Sequence, residues 1–89
     1  VARMNYTEGF LDDAAAIWSE RVKRSLVQAL AALESFPEIG STDVADSIRE
    51  RYGSEVRKMT VGSFILVYEY DRTADEVWVY GLVPMRRAR

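Results

Sequence analysis

Two short basic clusters hold whatever chemistry this sequence can offer: Arg57-Lys58, and Arg86-Arg87 with Arg89 behind them. Guanidinium and ammonium groups bind phosphates and carboxylates, and beside a proton-transfer group they stabilise the charge of a phosphoryl transition state. That proton-transfer group is missing in its usual form. Histidine is absent, which removes the commonest general base and the commonest metal ligand, and cysteine is absent, which removes thiolate sites and disulfides. Tyr52, Tyr68, Tyr80 and Glu55 are the substitutes on offer. Tyr68 and Tyr80 fall in strand patterns where packing with a satisfied hydroxyl accounts for them, and Glu55 suits an ion pair at a strand edge. No carboxylates have metal-ligand spacing, and the glycines at 9, 40, 53, 62 and 81 are too scattered for a phosphate-binding loop. No metal and no cofactor is expected.

The charge is uneven. The whole chain carries a formal charge of -2, yet residues 1–48 hold four basic and eight acidic side chains while residues 49–89 hold eight basic and six acidic. A net positive second half fits either an anionic partner or a solvated face. Asp12-Asp13, close to a helix start, complements the helix dipole and needs no other role.

These groups must be positioned by a small domain. The 89 residues at 10.2 kDa, 48% hydrophobic and 11% aromatic, suffice for one domain (1–89) with one modest core. A core of that size leaves only a few kcal/mol of net stability, so a standing partner is expected. No apolar run approaches the roughly 20 residues of a membrane helix, so no membrane partner is expected, and a reducing cytoplasm suits the composition.

Residues 2–6 form a first strand, and Thr7 offers a hydroxyl to cap a helix from about Glu8. Phe10, Ala14, Ile17 and Trp18 mark one apolar helix face, continued by Val22, Leu26, Ala29, Leu30, Leu33 and Phe36 until Pro37 stops the run. One long helix or a hairpin broken near Ser19 satisfies this pattern, and the hairpin packs better in a small domain. Residues 40–54 read as a polar loop with about two helical turns. From Glu55 the period becomes two: strands at 55–61, 63–70 and 76–83, turning at Gly62-Ser63 and at 71–75. The order is β-α-α-β-β-β, an α+β fold with a helical hairpin on one face of a small, mainly antiparallel four-stranded sheet. Phe64, Leu66, Tyr68 and Tyr70 then point to one face, and Ile65, Val67 and Glu69 to the other. If the hairpin covers the first face, the second is an apolar surface for a partner, with Ile65, Val67 and Glu69 as contacts. The alternative is that residues 40–54 and the C-terminal tail fold over it.

FPEIGS (36–41), EVRKMTVGSFILVYEYD (55–71) and WVYGLVPMRR (78–87), with the helical stretch before them, resemble the RelE/ParE superfamily of toxins from bacterial type II toxin-antitoxin systems. The most specific part is the spacing of Arg57, Gly62, Phe64 and Tyr68 before a basic strand end. The resemblance implies a toxin neutralised by a cognate antitoxin, and one of two activities: ribosome-dependent cleavage of messenger RNA in RelE-like members, or action on DNA gyrase in ParE-like ones. For a nuclease it implies Arg57, Lys58, Arg86 and Arg87 as the catalytic cations, and for the antitoxin contact it adds Arg86 and Arg87. Two features depart from the nuclease pattern. Ile65 stands where RelE-like nucleases usually carry arginine, and no tyrosine follows the late arginines. Pro84 stands where ParE-like members commonly show histidine, and it ends the strand. The expectation is a ParE-like or otherwise non-nuclease toxin, with the RelE-like nuclease as alternative and an inactive antitoxin-binding module as a further one. If the topology holds, the tail lies beside Arg57 and Lys58 as one basic edge.

Overall fold

The computed structural model describes residues 1–87, so Arg89 of the basic tail lies outside the described residues. Strand β1 spans Arg3–Tyr6, helix α1 Glu8–Ala15, helix α2 Glu20–Ser35, helix α3 Asp46–Tyr52, and strands β2, β3 and β4 Arg57–Val61, Phe64–Asp71 and Glu76–Pro84. A 3₁₀ turn, Met85–Arg87, follows β4. The four strands lie in the order β1-β4-β3-β2, with β1 parallel to β4 and the other pairs antiparallel. This is the expected β-α-α-β-β-β order, with α3 inserted before β2.

Local sequence sets the helix ends. Thr7 accepts the Phe10 N–H at 3.2 Å and Ser19 accepts the Val22 N–H at 3.3 Å, each satisfying an amide that the first helical turn leaves without a partner. The helices therefore form a hairpin and not one rod. Leu26, Ala29 and Leu33 of α2 and Phe10 of α1 bury against Val61, Leu66, Tyr68, Val77 and Val79. Each large apolar side chain taken fully out of water contributes about 1.5–3 kcal/mol. Trp18 and Phe36 do not join it. Trp18, in the turn between the helices, is 93% exposed, and Phe36, at the end of α2, is 66% exposed. The helical period carries both to the core side, but each falls where the chain has left helical geometry, so the period no longer fixes its direction.

The second sheet face is not open. Val44, Ile48 and Tyr52, on and before α3, cover Ile65, Val67, Val83 and Tyr80 and form a second, smaller core. Ile65 and Val67 are buried there, so the expectation that they form a free partner surface is corrected: residues 40–54 occupy it.

A bulge in β4 decides which side chains reach each core. Val67 pairs with Gly81 but Tyr68 pairs with Val79, so Tyr80 is an extra residue opposite the gap. Such an insertion reverses the in-out phase of the strand beyond it. Val77 and Val79 face the helical hairpin before the bulge and Leu82 faces it after, while Tyr80 and Val83 face α3.

Where β1 ends, α1 takes over the edge of β4. The Thr7 hydroxyl donates within reach of the Val79 and Tyr80 carbonyls (3.2 and 3.1 Å), and the Asp13 carboxylate accepts the Leu82 N–H at 3.0 Å. Asp13 is thus a structural acceptor for a strand amide, a role beyond complementing the helix dipole.

Candidate functional site

Arg57 opens β2 opposite Tyr68 and is committed to the chain itself. Its Nη1 donates to the carbonyls of Glu38 and Gly40 at 3.0 Å each, and its Nη2 approaches Glu38 Oε2 at 3.5 Å. Its side chain is only 23% exposed. Beside it the buried Tyr68 hydroxyl accepts the Gly40 N–H at 2.8 Å. A Cβ on residue 40 would lie 2.5 Å from that hydroxyl oxygen, which is why glycine stands there. Arg57 and Tyr68 together latch residues 38–40 onto the sheet. The ion-pair partner of Arg57 is Glu38, on the loop that follows α2.

Lys58 lies opposite Val67 and exchanges backbone hydrogen bonds with Ser41 at 2.9 Å in both directions. Among the described residues its ammonium group has no hydrogen-bond or ion-pair partner within reach. Glu69, on the same face of β3 as Val67, accepts the Tyr80 hydroxyl at 3.3 Å. Tyr80 stacks on Tyr52 with ring centres 6.4 Å apart, and the Tyr52 hydroxyl lies over Gly81, where a Cβ would come within 2.5 Å of it.

Arg86 and Arg87 are exposed on the 3₁₀ turn, which is tied down by the Met85 N–H donating to the Ser63 carbonyl at 2.9 Å. Arg86 borders a depression of about 410 Å³ with Ser63, Phe64, Pro84 and Met85. Pro84 pairs with Phe64, whereas Arg57 pairs with Tyr68. Four residues of strand separate those positions, about 13 Å, and β4 lies two strands, about 10 Å, from β2. The structure joins Arg57 and Lys58 to residues 38–41 and sets Arg86 and Arg87 at the other end of the sheet. A single basic edge does not form.

The proton-transfer candidates are also displaced from such a role. All five tyrosines are held above their ordinary value of 10: Tyr6, Tyr52, Tyr68 and Tyr80 chiefly by burial, and Tyr70 chiefly because its hydroxyl donates to Asp75. Glu34, Asp13 and Glu69 push Tyr6, Tyr52 and Tyr80 further up, while the Gly40 amide and Arg57 pull Tyr68 partly back. A phenol that serves as general base near neutral pH needs the opposite shift. Among the described residues no group of carboxylates could hold a metal ion, and no helix is long and apolar enough to cross a membrane.

Sequence reasoning missed the residues gathered around Glu38. Arg72, from the β3–β4 turn, pairs with the Glu38 carboxylate, and Arg49 of α3 donates to the Thr42 carbonyl at 2.9 Å. With Arg57 they border a polar depression of about 460 Å³. The available signal was the excess of arginine after residue 48; what joins these three is chain topology.

The comparisons with known proteins agree on the fold. The profile of the ParE toxin of type II toxin-antitoxin system, parDE, matches residues 4–89. The intact E. coli RelBE toxin-antitoxin complex contains a chain that superposes with a TM-score of 0.70 at 17% identity, covering 94% of this chain and 96% of that one. The isolated E. coli RelE toxin gives 0.75 at 15% identity, covering 100% and 89%. The archaeal RelE-RelB complex from Pyrococcus horikoshii OT3 gives 0.69 at 15% identity, covering 98% of each chain. No curated protein sequence matches the chain.

Proposed function

The chain belongs to the family of ParE toxins of type II toxin-antitoxin systems, and from that membership we propose that it arrests growth by acting on DNA gyrase, without cleaving RNA itself. A cognate antitoxin in the same cytoplasm neutralises it. The observation that carries the choice of target is the separation of the basic groups. Cleaving RNA by attack of the 2′-hydroxyl needs cations and a proton-transfer group around one phosphate. Here Arg57 is spent on the carbonyls of Glu38 and Gly40, the strand end at Pro84 that leads into Arg86 and Arg87 lies about 13 Å along the sheet from it, and the tyrosines are shifted away from base behaviour. Removing one preorganised electrostatic donor from an active site costs about 2.7–4 kcal/mol of transition-state stabilisation. Losing several leaves little catalysis.

Acting on a large protein target needs only a complementary surface. Trp18, Phe36 and Met85 supply exposed apolar anchors of the kind that dominate protein interfaces. Among the described residues the Lys58 ammonium group has no partner, and this favours the alternative, ribosome-dependent RNA cleavage, since it leaves a cation free for a phosphate. Inducing the gene alone and together with its antitoxin separates the two. Growth arrest with intact transcripts and altered plasmid supercoiling is the expected result. Cleaved transcripts that return to full length with Lys58→Ala or Arg86→Ala would establish the nuclease instead.

A further inference from the structure

Two depressions of opposite character meet at Glu38. On one side Phe36, Pro37 and Ile39 border a shallow apolar depression of about 610 Å³, with Phe36 66% and Ile39 56% exposed. On the other side lies the polar depression of about 460 Å³, where Arg49, Arg57 and Arg72 converge from α3, β2 and the β3–β4 turn. Glu38 borders both. Its carboxylate, held by Arg72 and approached by Arg57 at 3.5 Å, demonstrates that the polar half accommodates a carboxylate. A guanidinium has five N–H donors. Arg72 directs one of its nitrogens at Glu38, and Arg49 uses one on the Thr42 carbonyl and another, at 3.6 Å, on the exposed Asp46. Donors on both arginines therefore remain open to a ligand.

We propose that this composite surface docks an acidic, apolar peptide segment of a partner chain: an apolar side chain settles on Phe36 and Ile39, and a carboxylate a few residues along pairs with Arg72 and Arg49. The proposal rests on the toxin reading only in making that partner the antitoxin. Charge pattern selects a peptide over a nucleic acid. Glu38 and Glu55 both border the polar half, so a backbone with a phosphate at every step meets carboxylates as well as arginines. A peptide places single carboxylates between them.

The test is fluorescence anisotropy on the purified chain at low salt, with a labelled peptide of Leu-Glu-Glu repeats as probe. Its Leu-Gln-Gln counterpart and a labelled oligothymidine serve as comparisons. The acidic peptide is expected to bind. Arg72→Gln and Ile39→Ser are each expected to weaken it about tenfold, close to 1.4 kcal/mol, while Arg21→Gln with Arg24→Gln, both exposed in the first half of α2, leaves it unchanged. Arg72 is 76% exposed, so its replacement tests binding and not folding, and a matching thermal melt verifies this. Equal binding of the Leu-Gln-Gln peptide, or no loss with Arg72→Gln, overturns the site. So does oligothymidine binding more tightly through the same arginine, which transfers the surface to nucleic acid. A chain that binds the peptide but does not arrest growth upholds the site and sinks the toxin reading; one that arrests growth without binding does the reverse.

Discussion

Replacing Gly40 by alanine tests the latch that fixes residues 38–40, and with them Arg57. The new methyl group would sit 2.5 Å from the Tyr68 hydroxyl oxygen, 2.7 Å from its ring Cε1 and 2.8 Å from the Lys58 carbonyl oxygen. None of these can retreat easily. The Tyr68 ring is completely buried among Leu66, Val77 and Val79, and the Lys58 carbonyl accepts the Ser41 N–H at 2.9 Å. The loop must lift instead. In doing so it gives up the Gly40 N–H to Tyr68 bond and the Arg57 bond to the Gly40 carbonyl. Overpacking costs about 1–3 kcal/mol, and each lost hydrogen bond about 1 kcal/mol net. The sum is about 3–5 kcal/mol, against the roughly 4–13 kcal/mol expected of a domain this size. Urea unfolding followed by tryptophan fluorescence reads the change as a lower midpoint at constant slope. Tyr68→Phe alone, which removes the hydroxyl and keeps the ring, is expected to cost about 1–3 kcal/mol by leaving the Gly40 amide unpaired. A Gly40→Ala protein within about 0.5 kcal/mol of the parent, the usual range for an inconsequential surface change, would refute the latch.

Three further outcomes follow from the same geometry. Gly81→Ala drives a methyl group to 2.5 Å from the Tyr52 hydroxyl and should loosen α3, seen as faster proteolysis between residues 42 and 54; adding Tyr52→Ala should remove most of that effect, and full additivity would argue against the contact. Asp13→Ala, which strips the acceptor from the Leu82 amide, should cost about 1–3 kcal/mol in urea unfolding, while Asp13→Asn, which keeps an oxygen there, should cost clearly less; equal losses would remove the hydrogen bond as the reason. Because the tyrosines are raised above 10 in the folded chain, it holds phenol protons that the unfolded chain has released. Their contribution is fully present below pH 10 and is lost as pH rises through the folded values. Phenolate absorbance should therefore lag in the folded protein and complete only as it unfolds, whereas full reversible ionisation near pH 10 in the native state would contradict the burial of Tyr68.

Much of this architecture is legible in local sequence because local chemistry sets it. Thr7 and Ser19 cap the two helices, Pro37 ends the second, and alternation sorts Phe64, Leu66 and Tyr68 from Ile65 and Val67. What eluded the sequence depends on distant partners. Alternation predicts that Ile65 and Val67 share a face, but not that α3 covers it, because a seven-residue polar helix with two inward side chains has little periodic signal. The bulge at Tyr80 changes the phase of β4; Gly81 beside it is a local signal of a bulge, but it does not say which residue is the extra one. Arg57 reads as a ligand-binding cation because its type and spacing suit one; its commitment to Glu38 and Gly40 depends on where the loop after α2 returns to the sheet. The cluster of Arg49, Arg57 and Arg72 spans 24 positions of sequence and is assembled only by the fold.

The proposed action on gyrase, with no cleavage of RNA, is open to direct measurement. The most direct one adds the purified chain to gyrase supercoiling a relaxed plasmid, with ribosomes carrying a defined messenger in a parallel reaction. Loss of supercoiling with the messenger intact is the predicted result. Full supercoiling at saturating protein, with the messenger cut on the ribosome, would contradict it.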